Sequence, residues 1–189
     1  MICHPATPQQ KAGRFPADEL LDSKSLEQLS AIAWNRPQNA LILTAPERRT
    51  RQTAEALGLR AIDAPELREC DFGRWRGVDL ETLQAEDPAG LSEWLSDIAA
   101  APHQGESFYN LIMRISGWLD ARRSAGHVVA VTHASVVRAA IVQVLQAPPH
   151  EAFQRIEIAP LTVTEIRLSG GRWRVRSVGV PLIGGNFGY

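Results

Sequence analysis

Three short apolar runs of the sequence are each followed by a side chain that can bind or attack phosphate. His4, Arg49 and His133 come shortly after the ends of these runs. A neutral imidazole can attack phosphorus, while an arginine and a second imidazole neutralise the oxygens of a phosphoryl group. Glu69, further along the chain, offers a carboxylic acid that can protonate a departing oxygen. These residue types therefore predict phosphoryl-transfer chemistry.

Each of these side chains also has a purely structural interpretation. A single histidine after a strand is more often part of the packing, and arginines on one helix, such as Arg48 and Arg51, are more often solvated. Cys3 and Cys70 with the two histidines would suit zinc, but the spacing has no paired CxxC or HxxxH element, so no metal site is predicted. The ordered recurrence of suitable groups at strand ends is what favours chemistry.

The elements that must position these groups alternate between strand and helix. Residues 40–43 and 127–131 are short apolar runs that predict buried strands. Helical segments follow them, ending near Leu57 in the first case and covering 135–145 in the second. Because chemistry in such sheets gathers at the carboxyl ends of parallel strands, we expect the groups that follow these strands to converge.

The remaining segments complete an α/β pattern. Further helices are predicted over 80–86, over 89–98 and from Ser107 to before Gly126, and a two-strand hairpin over 161–168 and 173–180. This order predicts a three-layer αβα sandwich with a mostly parallel sheet and a C-terminal antiparallel hairpin. We expect a single domain over residues 1–189.

Composition limits the classes of partner. The 189 residues carry a formal net charge of −1, so no global basic field would hold nucleic acid or an anionic membrane. Lys11 and Lys24 are the only lysines, which leaves almost all positive charge on arginine, a residue suited to phosphate. Two cysteines are too few for a disulfide framework, and no apolar run is long enough to span a membrane. Without a secretory signal pattern at its start, the chain is expected in the cytoplasm.

Five motifs, in the right order, resemble those of the histidine phosphatase superfamily, also called phosphoglycerate-mutase-like. The first is Cys3-His4-Pro5 with Gly13-Arg14 downstream, where the family has R-H-G and a later G-R. The others are residues 45–54 (family pattern S-P-L-x-R-A-x-Q-T-A), 67–77 (L-x-E-x-x-F-G-x-W-E-G), 104–107 (G-G-E-S) and 129–138 (V-x-V-x-H-G-x-x-x-R). The resemblance covers nearly the whole chain, from residue 3 to about residue 145.

The resemblance implies a phosphatase that forms a phosphohistidine intermediate and needs no metal or organic cofactor. On the matching positions, His4 is the nucleophile and Glu69 is the acid. Arg49 and His133 hold the phosphate oxygens, with help from Arg14. Weaker candidates for the site are Cys3, Gln10, Arg48, Glu106 and, as an alternative acid, Asp71.

The first motif departs from the family pattern at four positions. Cys3 replaces an arginine, Pro5 a glycine, Ala6 an acid and Gln10 an asparagine. Losing one preorganised donor to an oxyanion typically costs ~2.7–4 kcal/mol, so we expect a weakened rather than abolished activity. The candidates to supply the missing positive charge are the α-amino group of Met1, Arg14 and Arg48.

The compact length favours a phosphomonoester hydrolase that acts on a small phosphorylated metabolite. Two alternatives remain open: a catalytically weakened member that binds an anionic ligand or a protein partner, and a phosphomutase. A lid is expected over about residues 78–106, and its acidic character favours a substrate with one phosphate. A homodimer contact through Phe187 and Tyr189, and a redox switch between Cys3 and Cys70, are further alternatives.

Overall fold

A computed structural model describes residues 1–34 and 38–182, so Phe187 and Tyr189 lie outside the described residues. The strands are β1 (Ile2–Cys3), β2 (Leu41–Thr44), β3 (Ile62–Asp63), β4 (Val128–Thr132), β5 (Thr162–Ser169) and β6 (Arg172–Pro181). The helices are α1 (Pro8–Lys11), α2 (Ser23–Ser30), α3 (Arg48–Ala56), α4 (Leu80–Glu86), α5 (Pro88–Ser96), α6 (Phe108–Asp120), α7 (Ala134–Leu145) and α8 (Pro149–Ala152). Within the described residues, none of these helices is long and apolar enough to cross a membrane.

The six strands form one sheet in the order β3-β2-β4-β1-β5-β6. The first four strands in this order are parallel to one another, while β5 and β6 run antiparallel. The sequence prediction of a mostly parallel sheet with a C-terminal antiparallel hairpin is therefore confirmed. Gly170 and Gly171 form the hairpin turn with positive φ angles of 58° and 72°, which glycine adopts without steric cost.

Helices cover both faces of the sheet because the central strand buries side chains on both sides. Val129 and Val131 of β4 pack in an apolar cluster with Leu29 of α2 and Ala54 of α3. Ala130, between them, points to the opposite face and belongs to a second cluster built largely from α6 and α7. The alternation of side chains along a strand thus creates the two apolar layers of the sandwich.

The ends of the helices follow local signals in the sequence. The Ser107 side chain accepts the backbone N–H of Asn110 and so caps α6, as predicted. Gly58, with φ at 66°, follows the end of α3. Helix α2, which the sequence prediction left out, is capped in the same way by Asp22, whose carboxylate accepts the N–H of Ser25.

Two loops that flank the sheet run against each other at very close range. The N–H of Glu106 donates to the carbonyl of Asp71 at 2.7 Å, and the N–H of Arg74 donates to the carbonyl of His103 at 2.9 Å. A Cβ on Gly105 would lie 1.9 Å from the Asp71 oxygen, so only glycine fits there. This contact joins the loop that carries Glu69 to the segment that leads into α6.

Candidate active site

The sheet register places two histidines side by side. Cys3 pairs with Thr132 across the parallel strands β1 and β4, and His4 and His133 are the residues that directly follow these two strands. Their ring centroids lie 5.1 Å apart with an interplanar angle of 74°. Both side chains are buried. The two histidines thus meet at the carboxyl ends of the parallel strands, where the sequence predicts that they converge.

Arg49, in the first turn of α3, connects the chemical groups of the site. Its Nε donates to Nε2 of His4 at 3.1 Å. Its Nη2 lies 3.3 Å from Oε2 of Glu69 and 3.3 Å from Nδ1 of His133. The guanidinium is fully buried. The four residues for which sequence reasoning predicted the main roles are therefore in direct contact.

The hydrogen bonds of His4 determine which ring nitrogen carries the proton. Nδ1 lies 2.6 Å from the carbonyl oxygen of Pro5, which can only accept, so Nδ1 holds the proton. Nε2 faces the donating Nε of Arg49 and therefore has its lone pair free of a proton. Burial, followed by the nearby His133 and Arg49, lowers the pKa of His4 well below its usual value. The ring is therefore neutral, with the lone pair of Nε2 directed toward Arg49.

A second acid, Glu19, supports Arg49 from the loop before α2. Its Oε2 lies 3.7 Å from Nη1 of Arg49, and Nη1 also donates to the carbonyl of Ala17 at 2.7 Å. Glu19 in turn accepts from the hydroxyl of Thr7 at 2.8 Å and from the N–H of Ala17 at 2.9 Å. Sequence reasoning missed Glu19 because one acid in an irregular loop has no pattern that marks it.

Glu69 is a carboxylate in the free site. It accepts hydrogen bonds from the hydroxyl of Ser135 and, at 3.0 Å, from the N–H of Cys70, in addition to its contact with Arg49. Burial alone would raise its pKa, but His133, Arg49 and these hydrogen bonds lower it instead. Glu69 therefore needs a proton from elsewhere before it can act as an acid.

Glu47, which sequence reasoning also missed, contacts both His133 and the loop of Glu69. Its Oε2 lies 2.8 Å from Nε2 of His133, and its Oε1 accepts the N–H of Glu69 at 3.0 Å. Burial would raise the pKa of Glu47, but the hydrogen bond and charge of His133 lower it to about 2. Glu47 is thus ionised at neutral pH.

Arg14, expected to help bind phosphate, and two of the weaker candidates are engaged elsewhere. Arg14 is exposed and contacts the carbonyl of Gly77 at 3.1 Å and the carboxylate of Asp79 at 3.7 Å. The Gln10 side chain accepts the N–H of Thr7 and so completes the capping box of α1. Glu106 forms a two-point ion pair with Arg114, at 2.8 and 2.6 Å.

The side chains of the other candidates make their contacts outside the group formed by His4, Arg49, Glu69 and His133. Cys3 packs in an apolar cluster with Val137, Ile141 and Ile158. The exposed Arg48 uses its backbone N–H to bind Asp18. The α-amino group of Met1 donates to the carbonyl of Thr164 at 2.7 Å. Asp71 is bound to Arg76 at 2.8 Å. None of these contacts supplies a cation to His4.

The geometry favours an oxyanion over a metal ion. Ligand atoms of His4, Glu69 and His133 lie within 4.8 Å of one another, a spacing that could surround a metal. Arg49 already donates to or contacts all three through Nε and Nη2. A metal cation would have to displace a buried guanidinium that is always charged, whereas a phosphoryl group would gain its hydrogen bonds.

Comparison with known proteins gives the same family as the motifs. The model of the histidine phosphatase superfamily (branch 1) matches residues 1–181. Glucosyl-3-phosphoglycerate phosphatase of Mycolicibacterium vanbaalenii is 29% identical over 168 residues, which cover 78% of this chain and 74% of that protein. Phosphoserine phosphatase 1 of Hydrogenobacter thermophilus is 30% identical over 131 residues, 67% of this chain and 59% of that protein. A bifunctional protein of Mycobacterium tuberculosis is 27% identical over 140 residues, and the chain spans only 38% of its length.

Solved structures share the fold over almost the whole chain. A mycobacterial glucosyl-3-phosphoglycerate phosphatase superposes with a TM-score of 0.83 at 23% identity, covering 95% of this chain and 97% of that one. The alpha-ribazole phosphatase of Shigella flexneri gives a TM-score of 0.79 at 21% identity, covering 97% and 96%. With the family model spanning both histidines, Arg49 and Glu69, the chain belongs to the histidine phosphatase superfamily, in its branch 1.

Proposed function

We propose that this protein is a phosphomonoester phosphatase that acts on a small metabolite through a phosphohistidine on His4. The observation that carries the proposal is the state of His4. Its ring is neutral and protonated on Nδ1, and its Nε2 faces the buried guanidinium of Arg49. The relatives named for glucosyl-3-phosphoglycerate and phosphoserine support a small substrate with one phosphate.

In the first step, Nε2 of His4 donates its lone pair to phosphorus and the bond from phosphorus to the ester oxygen breaks. Arg49 turns its N–H groups from Nε2 to the phosphate oxygens, which become the new acceptors. Because Glu69 is ionised in the free site, the departing oxygen needs a proton that arrives with the substrate. The monoanion of a phosphate ester carries that proton, since its second pKa is about 6, and Glu69 takes it from the phosphate and donates it to the departing oxygen.

In the second step, water attacks the phosphohistidine and the N–P bond breaks. Glu69 accepts a proton from the water as its oxygen bonds to phosphorus, and Nε2 of His4 recovers its lone pair. The acid and base roles thus belong to one carboxylate in the two half-reactions. No metal enters either step.

The test is the covalent intermediate. The wild-type protein, quenched in alkali after exposure to an aryl phosphate, should carry one acid-labile phosphate on His4, and His4→Ala should lose both label and turnover. The control is His150→Ala, because His150 is exposed and its neighbour is Glu151. Label on another residue, turnover by His4→Ala, or loss of wild-type activity in a chelator would each refute the mechanism.

A second candidate function, a weakened member that binds an anionic ligand without turnover, is favoured by Cys3. Its side chain lies among apolar groups, which leaves Arg49 as the guanidinium that contacts the nucleophile in the described structure. In that case inorganic phosphate should bind, and no phosphohistidine should form on His4 with any aryl phosphate.

A further inference from the structure

Glu47 stands at the start of α3 but does not cap that helix. Its backbone is at the N-cap position, yet its side chain makes no capping hydrogen bond. The carboxylate instead reaches Nε2 of His133 at 2.8 Å and the N–H of Glu69 at 3.0 Å. Two residues that follow different strands and loops are therefore tied to the same acid. An N-cap acid normally satisfies its own helix, so another partner has taken this side chain.

The family pattern does not place an acid at this position. Residues 45–54 match S-P-L-x-R-A-x-Q-T-A, and in this chain Ala45 stands at the serine and Glu47 at the leucine. The side chain of Glu47 is only 17% exposed, so its charge is largely removed from water. A buried carboxylate costs free energy unless it is paired, and His133 is the side chain that pairs with it.

The contact with Glu47 determines which nitrogen of His133 faces the reaction. A carboxylate only accepts, so Nε2 of His133 holds a proton and Nδ1 is directed at Arg49 and Glu69, each 3.3 Å away. In the neutral ring Nδ1 accepts from Arg49. When Nδ1 is protonated it donates, and the positive ring is then flanked by the Glu47 carboxylate on its far side. An aspartate holds the catalytic histidine of serine proteases in the same two ways.

This arrangement bears on the positive charge that is missing at position 3. Cys3 packs among apolar side chains, and Arg14 and Arg48 make their contacts elsewhere. The charged or titratable groups that face His133 are His4 from the end of β1, Glu47 and Arg49 from the start of α3, and Glu69 from its loop. A positive His133 next to a phosphoryl group would stand where a second cation is needed.

We propose that Glu47 is a positioning residue that keeps a proton on Nε2 of His133 and stabilises the imidazolium form of that ring. The charged His133 then supplies, beside Arg49, the second cation that the family pattern places at position 3. The part that concerns phosphate rests on the proposed function, whereas the part that concerns the ring proton does not.

The first experiment measures the ring proton by nitrogen-15 NMR of the histidine side chains, on the whole chain. In the wild-type protein at alkaline pH, the neutral ring of His133 should carry its proton on Nε2, and addition of orthovanadate or inorganic phosphate should protonate Nδ1. A neutral ring with its proton on Nδ1 would overturn the proposal, whether or not any variant folds. Retained Nε2–H without phosphate binding would support the positioning role and refute the proposed function.

The second experiment compares variants. Glu47→Gln retains an acceptor but loses the charge, Glu47→Leu restores the residue of the family pattern, and the control Glu55→Gln changes an exposed acid of the same helix. Inorganic phosphate should bind about 10- to 100-fold more weakly to both Glu47 variants, since a buried donor loses its charged partner. Equal phosphate affinity in the wild type and in both variants would refute the role of the charge.

Discussion

Replacing Arg49 by methionine is the change that tests the buried charge network most directly. Arg49 is fully buried and makes hydrogen bonds to His4, to the carbonyl of Ala17 and to Glu69, with Glu19 at 3.7 Å. Methionine occupies a similar volume but offers none of these contacts. The variant would leave two nearly buried carboxylates, with side-chain exposures of 6% and 10%, without their shared cation.

The expected loss of stability follows from those two acids. Removing one partner of a buried ion pair costs about 3–5 kcal/mol, because the remaining charge is left in a medium that solvates it poorly. For a domain of this size, that loss corresponds to a fall in melting temperature of roughly 6–20 °C. Arg51→Met is the matched control. Arg51 lies two residues further along α3 and pairs with Asp63 in an exposed ion pair, whose loss should leave the melting temperature almost unchanged.

The penalty should depend on pH in a defined direction. In the wild-type protein the pKa of Glu69 is lowered, so its ionised form adds stability above the unfolded value of about 4.3, and that stability is lost as the pH falls. Without Arg49, burial acts on Glu69 with less opposition and its pKa rises. Protonation then relieves the variant, so the difference in unfolding free energy between wild type and Arg49→Met should shrink from pH 7 to about pH 4.

Urea denaturation at pH 7 and at pH 4, for wild type and both variants, measures these differences. The reasoning would be refuted by an Arg49→Met protein as stable as wild type at pH 7. It would also be refuted by a stability difference that stays constant or grows on acidification, because an uncompensated buried carboxylate must become less costly when it is protonated.

Other predictions concern close packing and the thiols. Gly105→Ala should lower the free energy of unfolding by about 3 kcal/mol or more, because its Cβ would meet the Asp71 carbonyl at 1.9 Å. A smaller loss of unfolding free energy, measured by thermal melting, would contradict this close contact. Gly117→Ala, with open space around the Cβ inside α6, should instead raise the free energy of unfolding by about 0.5–1 kcal/mol and so raise the melting temperature. Cys3 and Cys70 are free and buried, and burial, followed by Glu69, raises the pKa of Cys3 to about 12. Both thiols should therefore react with Ellman's reagent at pH 8 only in urea, and rapid reaction of the folded protein, or a change of activity in oxidising buffer, would show a redox-active pair.

The parts of the fold that the sequence predicts are those with a strong local signal. The apolar runs at 40–43 and 127–131 match β2 and β4 to within one residue, and Ser107 caps its helix as expected. The hairpin strands likewise shift by one residue at each end. Helix α1 has four residues and no buried side chain, so it has no apolar stripe by which to predict it.

In the candidate site, too, the sequence predicts some of the residues and misses others. His4, Arg49 and His133 follow strands, so the parallel register alone brings them together. Glu47 and Glu19 could not be found in this way, because each gains its role from a partner far along the chain, 86 residues away for Glu47 and His133. Arg14 matches the family motif, but Asp79 and the carbonyl of Gly77 bind its guanidinium.

The last strand of the sheet has a consequence for how the protein behaves at high concentration. Among the described residues, strand β6 lies at the edge of the sheet, and Arg172, Arg174 and Arg176 are exposed there in alternation with half-buried side chains. Strand edges offer unpaired backbone groups to any other chain, and charged side chains discourage such pairing. Two copies that met antiparallel through β6 would bring arginine against arginine. We therefore expect the arginines of β6 to discourage edge-to-edge pairing between two copies of the folded protein.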